Sequence, residues 1–144
     1  MSTAAATATP QPVAMPPVLG VAAYLTVDGA VRASEFYQRA LGATEVMRIP
    51  VDAKGRTMHV HLHVNNGSVM LSDAYPEHGH PWKAPEGFCL HLQVKNVEAW
   101  WKRAIEAGAE VVLPLQVMFW GDRYGQLRDP FGVMWAFNAP VTSA

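Results

Sequence analysis

The sequence has a single cysteine, few charged residues and no excess of either sign of charge. Cys89 is the only cysteine in 144 residues, so the chain cannot form an internal disulfide or a cysteine-rich zinc site. Charged residues make up 16% of the chain, and 11 basic residues stand against 12 acidic ones. Charge this close to balance gives no electrostatic reason to bind nucleic acid or an anionic membrane.

Long apolar runs and an early positive charge are also missing. The first basic residue is Arg32, whereas secretory signals and transit peptides carry basic residues early. The longest apolar stretch, around residues 111–120, contains Pro114 and Gln116. It is much shorter than the roughly 18 residues that a spanning helix needs. We therefore expect a cytoplasmic protein with no membrane partner and no nucleic-acid partner.

Half of the residues are hydrophobic, which is enough for one buried core in a chain of single-domain length. The first residues are mostly Ala, Thr, Pro and Gln and are expected to form a flexible tail. A stretch rich in Pro, Gly and His predicts a linker inside the folded domain. The expected order is tail, first module, linker, second module and tail, at residues 1–17, 18–74, 75–87, 88–140 and 141–144.

The two modules share one pattern of elements, which reads strand, helix, strand, strand, strand. Ala23–Val27 (AYLTV) aligns with Leu90–Val94 (LHLQV), and Gly67–Leu71 aligns with Gly132–Ala136. A single βαβββ unit cannot cover its own sheet, so the repeat predicts two modules that pack together.

Capping and turn residues mark the ends of these elements. Asp28 and Asn96 precede the two helical patterns and are predicted as their N-caps. Gly42 and Gly108 are predicted to end the helices. The sequence Asn65-Asn66-Gly67 predicts a hairpin turn, because these residues tolerate positive φ.

Alternation along the strands predicts one apolar face and one polar, histidine-rich face. The apolar alternates, which include Met58 and Phe88, are predicted to pack against the helices. The opposite face is predicted to line a cleft with the following side chains: Ala22, Tyr24, Thr26, His59, His61, His63, Cys89, His91 and Gln93.

Several segments resemble the vicinal oxygen chelate superfamily, which includes glyoxalase I, bleomycin-resistance proteins and extradiol dioxygenases. They are YLTVDGAVRASEFYQRALGA, MHVHL, VMLSDAYPE, LHLQVKNV and FWGDRYGQLRDPFGVMWAF. The match covers about residues 18–140 and is nearest to the PhnB-like subgroup. It implies an α+β fold whose two tandem βαβββ modules pair into a half-open, eight-stranded mixed barrel. The helices would lie outside, and the ligand would lie on the concave inner face.

The resemblance also implies four metal-ligand positions, which metal-containing members fill with His, Glu or Gln. In this sequence the four positions fall at Ala22, Leu71, Cys89 and Ala136. Only Cys89 has a coordinating atom. We therefore predict no cofactor, with a divalent metal as the alternative. We expect Cys89 to be an ordinary buried cysteine, and a nucleophilic role is its alternative.

His59, His61 and His63 share one strand face, and imidazoles are good ligands for several metals. Neighbouring side chains on that face lie roughly 6.5–7 Å apart, whereas Zn–N bonds are about 2.0–2.1 Å long. Two of the histidines could share a metal with some strain, but three in a line could not do so comfortably. The pattern is compatible with four roles for these histidines: solvated lining of the cleft, hydrogen bonding to a ligand, acid–base catalysis and metal binding.

The segment Phe119–Gly125 is the most distinctive in the sequence. Arg123 can bind a carboxylate or phosphate through two hydrogen bonds, and Trp120 offers a stacking face. An ion pair between Asp122 and Arg123 that fixes the loop is the structural alternative.

We expect a small-molecule-binding protein of the bleomycin-resistance type that acts without a metal and as a homodimer. The predicted ligand residues are Tyr24, His59, His61, Cys89, His91, Trp120, Arg123 and Tyr124. The alternative is a lyase- or isomerase-type enzyme of the same superfamily, with His59, His61 or His91 as metal ligands or acid–base groups. A purely structural module is a third hypothesis, which the aromatic and histidine-rich face disfavours.

Overall fold

The computed structural model describes residues 15–141, so most of the two predicted tails, residues 1–14 and 142–144, lies outside the described residues. Within these described residues, eight strands, two α-helices and a short 3-10 helix (Pro76–His78) follow one another. The main elements are β1 (Ala23–Val27), α1 (Ala30–Leu41), β2 (Thr44–Arg48), β3 (Val60–Val64), β4 (Gly67–Asp73), β5 (Leu90–Gln93), α2 (Val97–Ala107), β6 (Glu110–Val117), β7 (Asp122–Arg128) and β8 (Met134–Pro140).

The strands form two four-stranded mixed sheets with the same internal order. The first sheet runs β1-β4-β3-β2 and the second runs β5-β8-β7-β6. In each sheet the first strand pairs in parallel with the fourth, and the other pairs are antiparallel. The predicted α+β class is therefore confirmed. A single eight-stranded barrel is not confirmed, because within residues 15–141 no strand of one sheet pairs with a strand of the other.

The start of α1 differs from its prediction. Asp28 does not cap the helix, because the N-cap is Gly29. Gly29 has a φ of 104°, which glycine adopts without steric cost. The cap comes from a distant residue, because Asp73 Oδ1 accepts hydrogen bonds from the backbone N–H groups of Gly29 and Ala30 at 2.9 and 3.0 Å. The helix ends as predicted at Gly42, which has a φ of 63°.

The boundaries of α2 and of the first hairpin agree with the sequence. Asn96 is the N-cap of α2, and its side chain accepts a hydrogen bond from the N–H of Ala99 at 3.3 Å. Gly108 ends the helix with a φ of 116°. Asn65 and Asn66 form the turn between β3 and β4 with φ of 47° and 66°. Neither of these two helices is long and apolar enough to cross a membrane.

Two predicted strands begin later than the alternation suggested. Met58 precedes β3 and is 63% exposed, and Phe88 precedes β5 and is 47% exposed. The prediction that these two side chains pack against the helices is wrong. Both lie in loops, where the two-residue alternation of a strand does not apply.

A continuous core lies between the helices and the sheet faces that pack against them, and a buried carboxylate links its two halves. Asp129, on the turn between β7 and β8, accepts hydrogen bonds from Tyr37 Oη at 2.5 Å and Trp135 Nε1 at 2.8 Å. It also accepts hydrogen bonds from the backbone N–H groups of Phe131 and Val133. Burial, together with the nearby carboxylate, raises the pKa of Tyr37 well above its usual value. Tyr37 belongs to α1, so this contact joins the two modules.

Candidate functional site

On each sheet, one face packs against the helices and the other is turned away from them. We call the outward faces the first open face, on the β1–β4 sheet, and the second open face, on the β5–β8 sheet. Strand register and alternation assign the side chains. The first open face carries Tyr24, Thr26, His61, His63, Ser68, Met70 and Ser72. The second carries His91, Gln93, Asp122, Tyr124, Gln126, Ala136 and Asn138.

The first open face brings together Tyr24 and the predicted histidines. Tyr24 Oη lies 2.8 Å from Nδ1 of His59, which precedes β3. His61 Nε2 lies 2.8 Å from Ser68 Oγ. The ring centroids of His59 and His61 are 6.5 Å apart, and those of His61 and His63 are 5.1 Å apart. The structure therefore places a row of imidazoles beside one phenol.

Burial favours the neutral form of the central imidazole, that of His61. His61 is only 1% exposed, and desolvation lowers its pKa, to which His63 and His59 add a smaller electrostatic effect. Burial also raises the pKa of Tyr24. Nε2 of His59 is buried and has no hydrogen-bond partner among the described residues. The first open face thus carries an imidazole that favours the neutral form, with one ring nitrogen of its neighbour unused.

The second open face carries a chain of four hydrogen-bonded side chains. Asn138 Nδ2 lies 2.9 Å from Asp122 Oδ2 and 2.9 Å from Gln93 Oε1. Gln93 Oε1 in turn lies 3.0 Å from His91 Nε2. The chain crosses three neighbouring strands, β7, β8 and β5, so the sheet itself holds its members in place.

The direction of this chain follows from the chemistry of its end. An ionised carboxylate can only accept, so the Asn138 amide must point its NH₂ group at Asp122. The same NH₂ group donates to Gln93, whose carbonyl oxygen must then accept from His91 as well. His91 therefore carries its proton on Nε2, which leaves Nδ1 as an acceptor. The NH₂ group of Gln93 remains as a donor.

Aromatic rings border this polar chain. Trp120, in the turn between β6 and β7, is 48% exposed and meets Tyr124 edge-on with ring centroids 5.6 Å apart. The rings of His91 and Tyr124 are 6.3 Å apart. Gln126 Nε2 donates to Tyr124 Oη at 2.9 Å. Three residues predicted for the ligand site, His91, Trp120 and Tyr124, thus lie together.

Two other predicted residues are placed differently. Arg123 alternates with Tyr124 along β7, so it points toward the helices and forms an ion pair with Glu98 of α2. The predicted Asp122–Arg123 ion pair is therefore wrong, and Arg123 does not reach the second open face. Cys89 precedes β5 as a half-buried free thiol.

Sequence reasoning missed Asn138 and Gln126 and assigned Asp122 to the wrong partner. Asn138 is 4% exposed and stands within the otherwise apolar β8 segment MWAFNAP. A lone amide in a buried strand needs hydrogen-bond partners, and that was the available signal.

Two small cavities lie where the edges of the sheets meet, along β1 and β5. One has a volume of about 250 Å³ and is lined by Ala22, Ala23 and residues 90–92, which include His91. The other, of about 270 Å³, adjoins Tyr24, Thr26 and Phe88. Both open faces therefore border recessed space.

A family model described as the Glyoxalase/Bleomycin resistance protein/Dioxygenase superfamily matches residues 18–137. The chain belongs to this superfamily. An uncharacterized protein of Mycobacterium bovis, Mb0911c, is 40% identical over 124 residues, which cover 82% of this chain and 81% of that protein. The superfamily resemblance seen in the sequence is confirmed.

Solved structures of the superfamily fold agree with this assignment. Protein PA1353 of Pseudomonas aeruginosa is 31% identical with a TM-score of 0.67, covering 85% of this chain and 98% of that one. A PhnB protein of Bacillus cereus is 19% identical with a TM-score of 0.66, covering 84% of this chain and 99% of that one. At that identity the second likeness shows the fold alone.

The superfamily's metal positions can now be tested against the residues of this chain. Leu71 is fully buried in the core, and the residue opposite Tyr24 is Met70, just as Ala136 lies opposite His91. The repeat alignment was thus one residue out in β4, and the corrected position is Met70, which is none of the His, Glu or Gln that metal-containing members use. Within residues 15–141 no three His, Cys, Asp or Glu side chains are grouped as a metal would require. The four superfamily positions of this chain therefore do not supply the ligand set that metal-containing members use.

Proposed function

We propose that this superfamily member binds a small planar or aromatic molecule in a concave cleft formed by its two open faces. The cleft would correspond to the half-open barrel of the superfamily, and binding would need no metal. The observation that carries the proposal is the directed hydrogen-bond chain on the second open face, which ends at His91 beside the rings of Tyr124 and Trp120.

The groups of the second open face define the kind of ligand. His91 Nδ1 accepts a hydrogen bond, and the NH₂ group of Gln93 donates one. A ligand edge with a donor beside an acceptor, such as that of a lactam or a heterocycle, complements this pair. Trp120 and Tyr124 offer apolar ring surface for the flat body of such a ligand.

The same proposal includes a homodimer and the PhnB-like branch of the superfamily. The dimer is supported by strongly exposed apolar side chains at one edge of the second sheet: Val117 is 60% exposed and Phe119 is 97% exposed. Exposed apolar groups of this kind are typical of interfaces. The PhnB-like branch is supported by the long FWGDRYGQLRDPFG run in residues 119–132.

A thermal-shift screen of small heterocycles and aromatic amides, followed by calorimetry, tests the proposed function. We expect Trp120→Ala to weaken binding of the best compound about tenfold, because a stacking surface is lost. The matched control is Trp82→Ala, since Trp82 is 45% exposed in the linker. Equal affinities for the wild type and Trp120→Ala would contradict the proposal.

Acid–base catalysis is a second candidate, favoured by the free acceptor on His91. A neutral imidazole whose Nδ1 faces a bound molecule can take a proton from it, and the hydrogen bond from Nε2 to Gln93 holds the ring in place. Mass spectrometry of the bound compound after incubation separates the two functions. A chemically changed compound, formed by the wild type and not by His91→Gln, would establish catalysis.

A further inference from the structure

A third cavity, of about 610 Å³, lies where the end of α1, the β3–β4 turn and α2 meet, and it shares Asn65, Gly67 and Ser68 with the cavity of about 250 Å³. Leu41 and Gly42 contribute from α1, Asn66 from the turn, and Trp100 and Arg103 from α2. Its volume falls in the range of about 300–1,000 Å³ that is usual for small-molecule sites.

Arg103 is held in a fixed position at this cavity. Its Nε donates to the backbone carbonyl of Ala40 at 3.2 Å. Its guanidinium carbon lies 4.6 Å from the ring centroid of Trp100. Nη1 packs over Gly42, where a Cβ atom would come within 2.8 Å of it. Three contacts from two helices therefore orient the guanidinium without using its outer edge.

The outer edge of Arg103 has no acidic partner. Within residues 15–141 no carboxylate lies within 4.0 Å of the Arg103 guanidinium, although Arg48, Arg56 and Arg123 all have one. No Asp or Glu lines the cavity, whereas His63 and Asn66 add further polar groups. A guanidinium fork with unused N–H donors matches the two oxygens of a carboxylate.

We propose that this cavity is a second binding site, for a small organic carboxylate. The carboxylate would bind the free edge of Arg103, and its apolar body would lie against Trp100 and Leu41. His63 and Ser68 of the first open face also line this cavity, but the contact with Arg103 does not depend on the function proposed for the open faces. Because Arg103 bridges the two helices, binding there would also tighten the contact between the modules.

The test is calorimetric titration of the full chain with 2-naphthoate. We expect saturable binding of one molecule per chain, at least about tenfold weaker in Arg103→Met and intermediate in Arg103→Lys, which keeps the charge but not the fork. Arg39→Met is the matched control, since Arg39 is an exposed arginine of α1 outside the cavity. Uncharged 2-naphthamide and inorganic phosphate should each bind more weakly than 2-naphthoate.

Four results would overturn the second site. They are absence of saturable binding, unchanged affinity in Arg103→Met, equal affinity for phosphate, and a loss of affinity in Trp120→Ala as large as that in Arg103→Met. If Arg103→Met does not fold, Arg103→Lys and the NMR shift of Arg103 Nε on adding 2-naphthoate decide the matter. An unshifted Nε signal with undiminished affinity in Arg103→Lys would also overturn it.

Discussion

The two modules repeat one chain path, yet their open faces carry different chemistry. At matching strand positions, the first has Tyr24 next to imidazoles and the second has His91 next to amides. On the first face three histidines lie beside Tyr24, and burial lowers the pKa of His61 among them. On the second face, the Asp122 carboxylate fixes the direction of the hydrogen bonds among amides, which do not titrate. The repeat thus preserves the scaffold while the two faces diverge.

The modules also differ in how their buried carboxylates are used. Asp73 caps α1 and binds Thr57, so it stabilises the first module from within. Asp129 binds Tyr37 of the other module as well as its own turn. The buried carboxylate of the second module therefore contributes to the contact between the modules, whereas that of the first module does not.

The largest effect should come from removing these carboxylates. We expect Asp129→Ala to lower the free energy of unfolding by about 4 kcal/mol and Asp73→Ala by about 3 kcal/mol, because several buried donors lose their acceptor. Asp28→Ala, at an exposed position, should cost less than about 0.5 kcal/mol. Urea unfolding measures all three values. A greater loss for Asp73→Ala than for Asp129→Ala would reverse the comparison.

A smaller effect should appear in the pH dependence of stability. The pKa of His61 is lowered by folding, so the unfolded chain takes up this proton more readily. Stability should therefore be greatest above the ordinary histidine pKa of 6.5 and should fall as the pH drops below it. His61→Gln should reduce this slope, and His78→Gln, in the exposed linker, should keep it. Identical slopes for wild type and His61→Gln would show that burial of His61 does not drive the effect.

The smallest signal concerns the proton on His91. We expect neutral His91 to carry its proton on Nε2 more completely than the exposed His63, because the chain from Asp122 requires a donor there. Nitrogen NMR shifts of the rings distinguish the two tautomers. Asp122→Ala should shift the tautomer ratio of His91 toward that of His63. A wild-type His91 protonated mainly on Nδ1 would break the proposed direction of the chain.

Sequence patterns predicted the repeat because capping residues and strand alternation are local. Asn96, Gly42 and Gly108 lie at the helix ends as predicted, and Tyr24 and His91 lie on the sheet faces that are turned away from the helices, as the alternation predicted. The failures involve partners that are distant in sequence: the cap of α1 comes from Asp73, and Arg123 pairs with Glu98. The predictions for Met58 and Phe88 were wrong because the ends of a strand are set by its pairing with neighbouring strands. The hydrogen-bond chain on the second open face could not be predicted, because it depends on the register of β5, β7 and β8.

We propose that the open faces, with the second as anchor, bind a small molecule. The most direct test of this proposal is NMR titration of nitrogen-labelled protein with the best compound from the thermal-shift screen, monitoring the indole N–H signals and the histidine rings. We expect the signals of Trp120 and His91 to shift most, while those of Trp82 and Trp100 stay unchanged. Shifts at Trp82 or Trp100, with Trp120 and His91 unmoved, would contradict it.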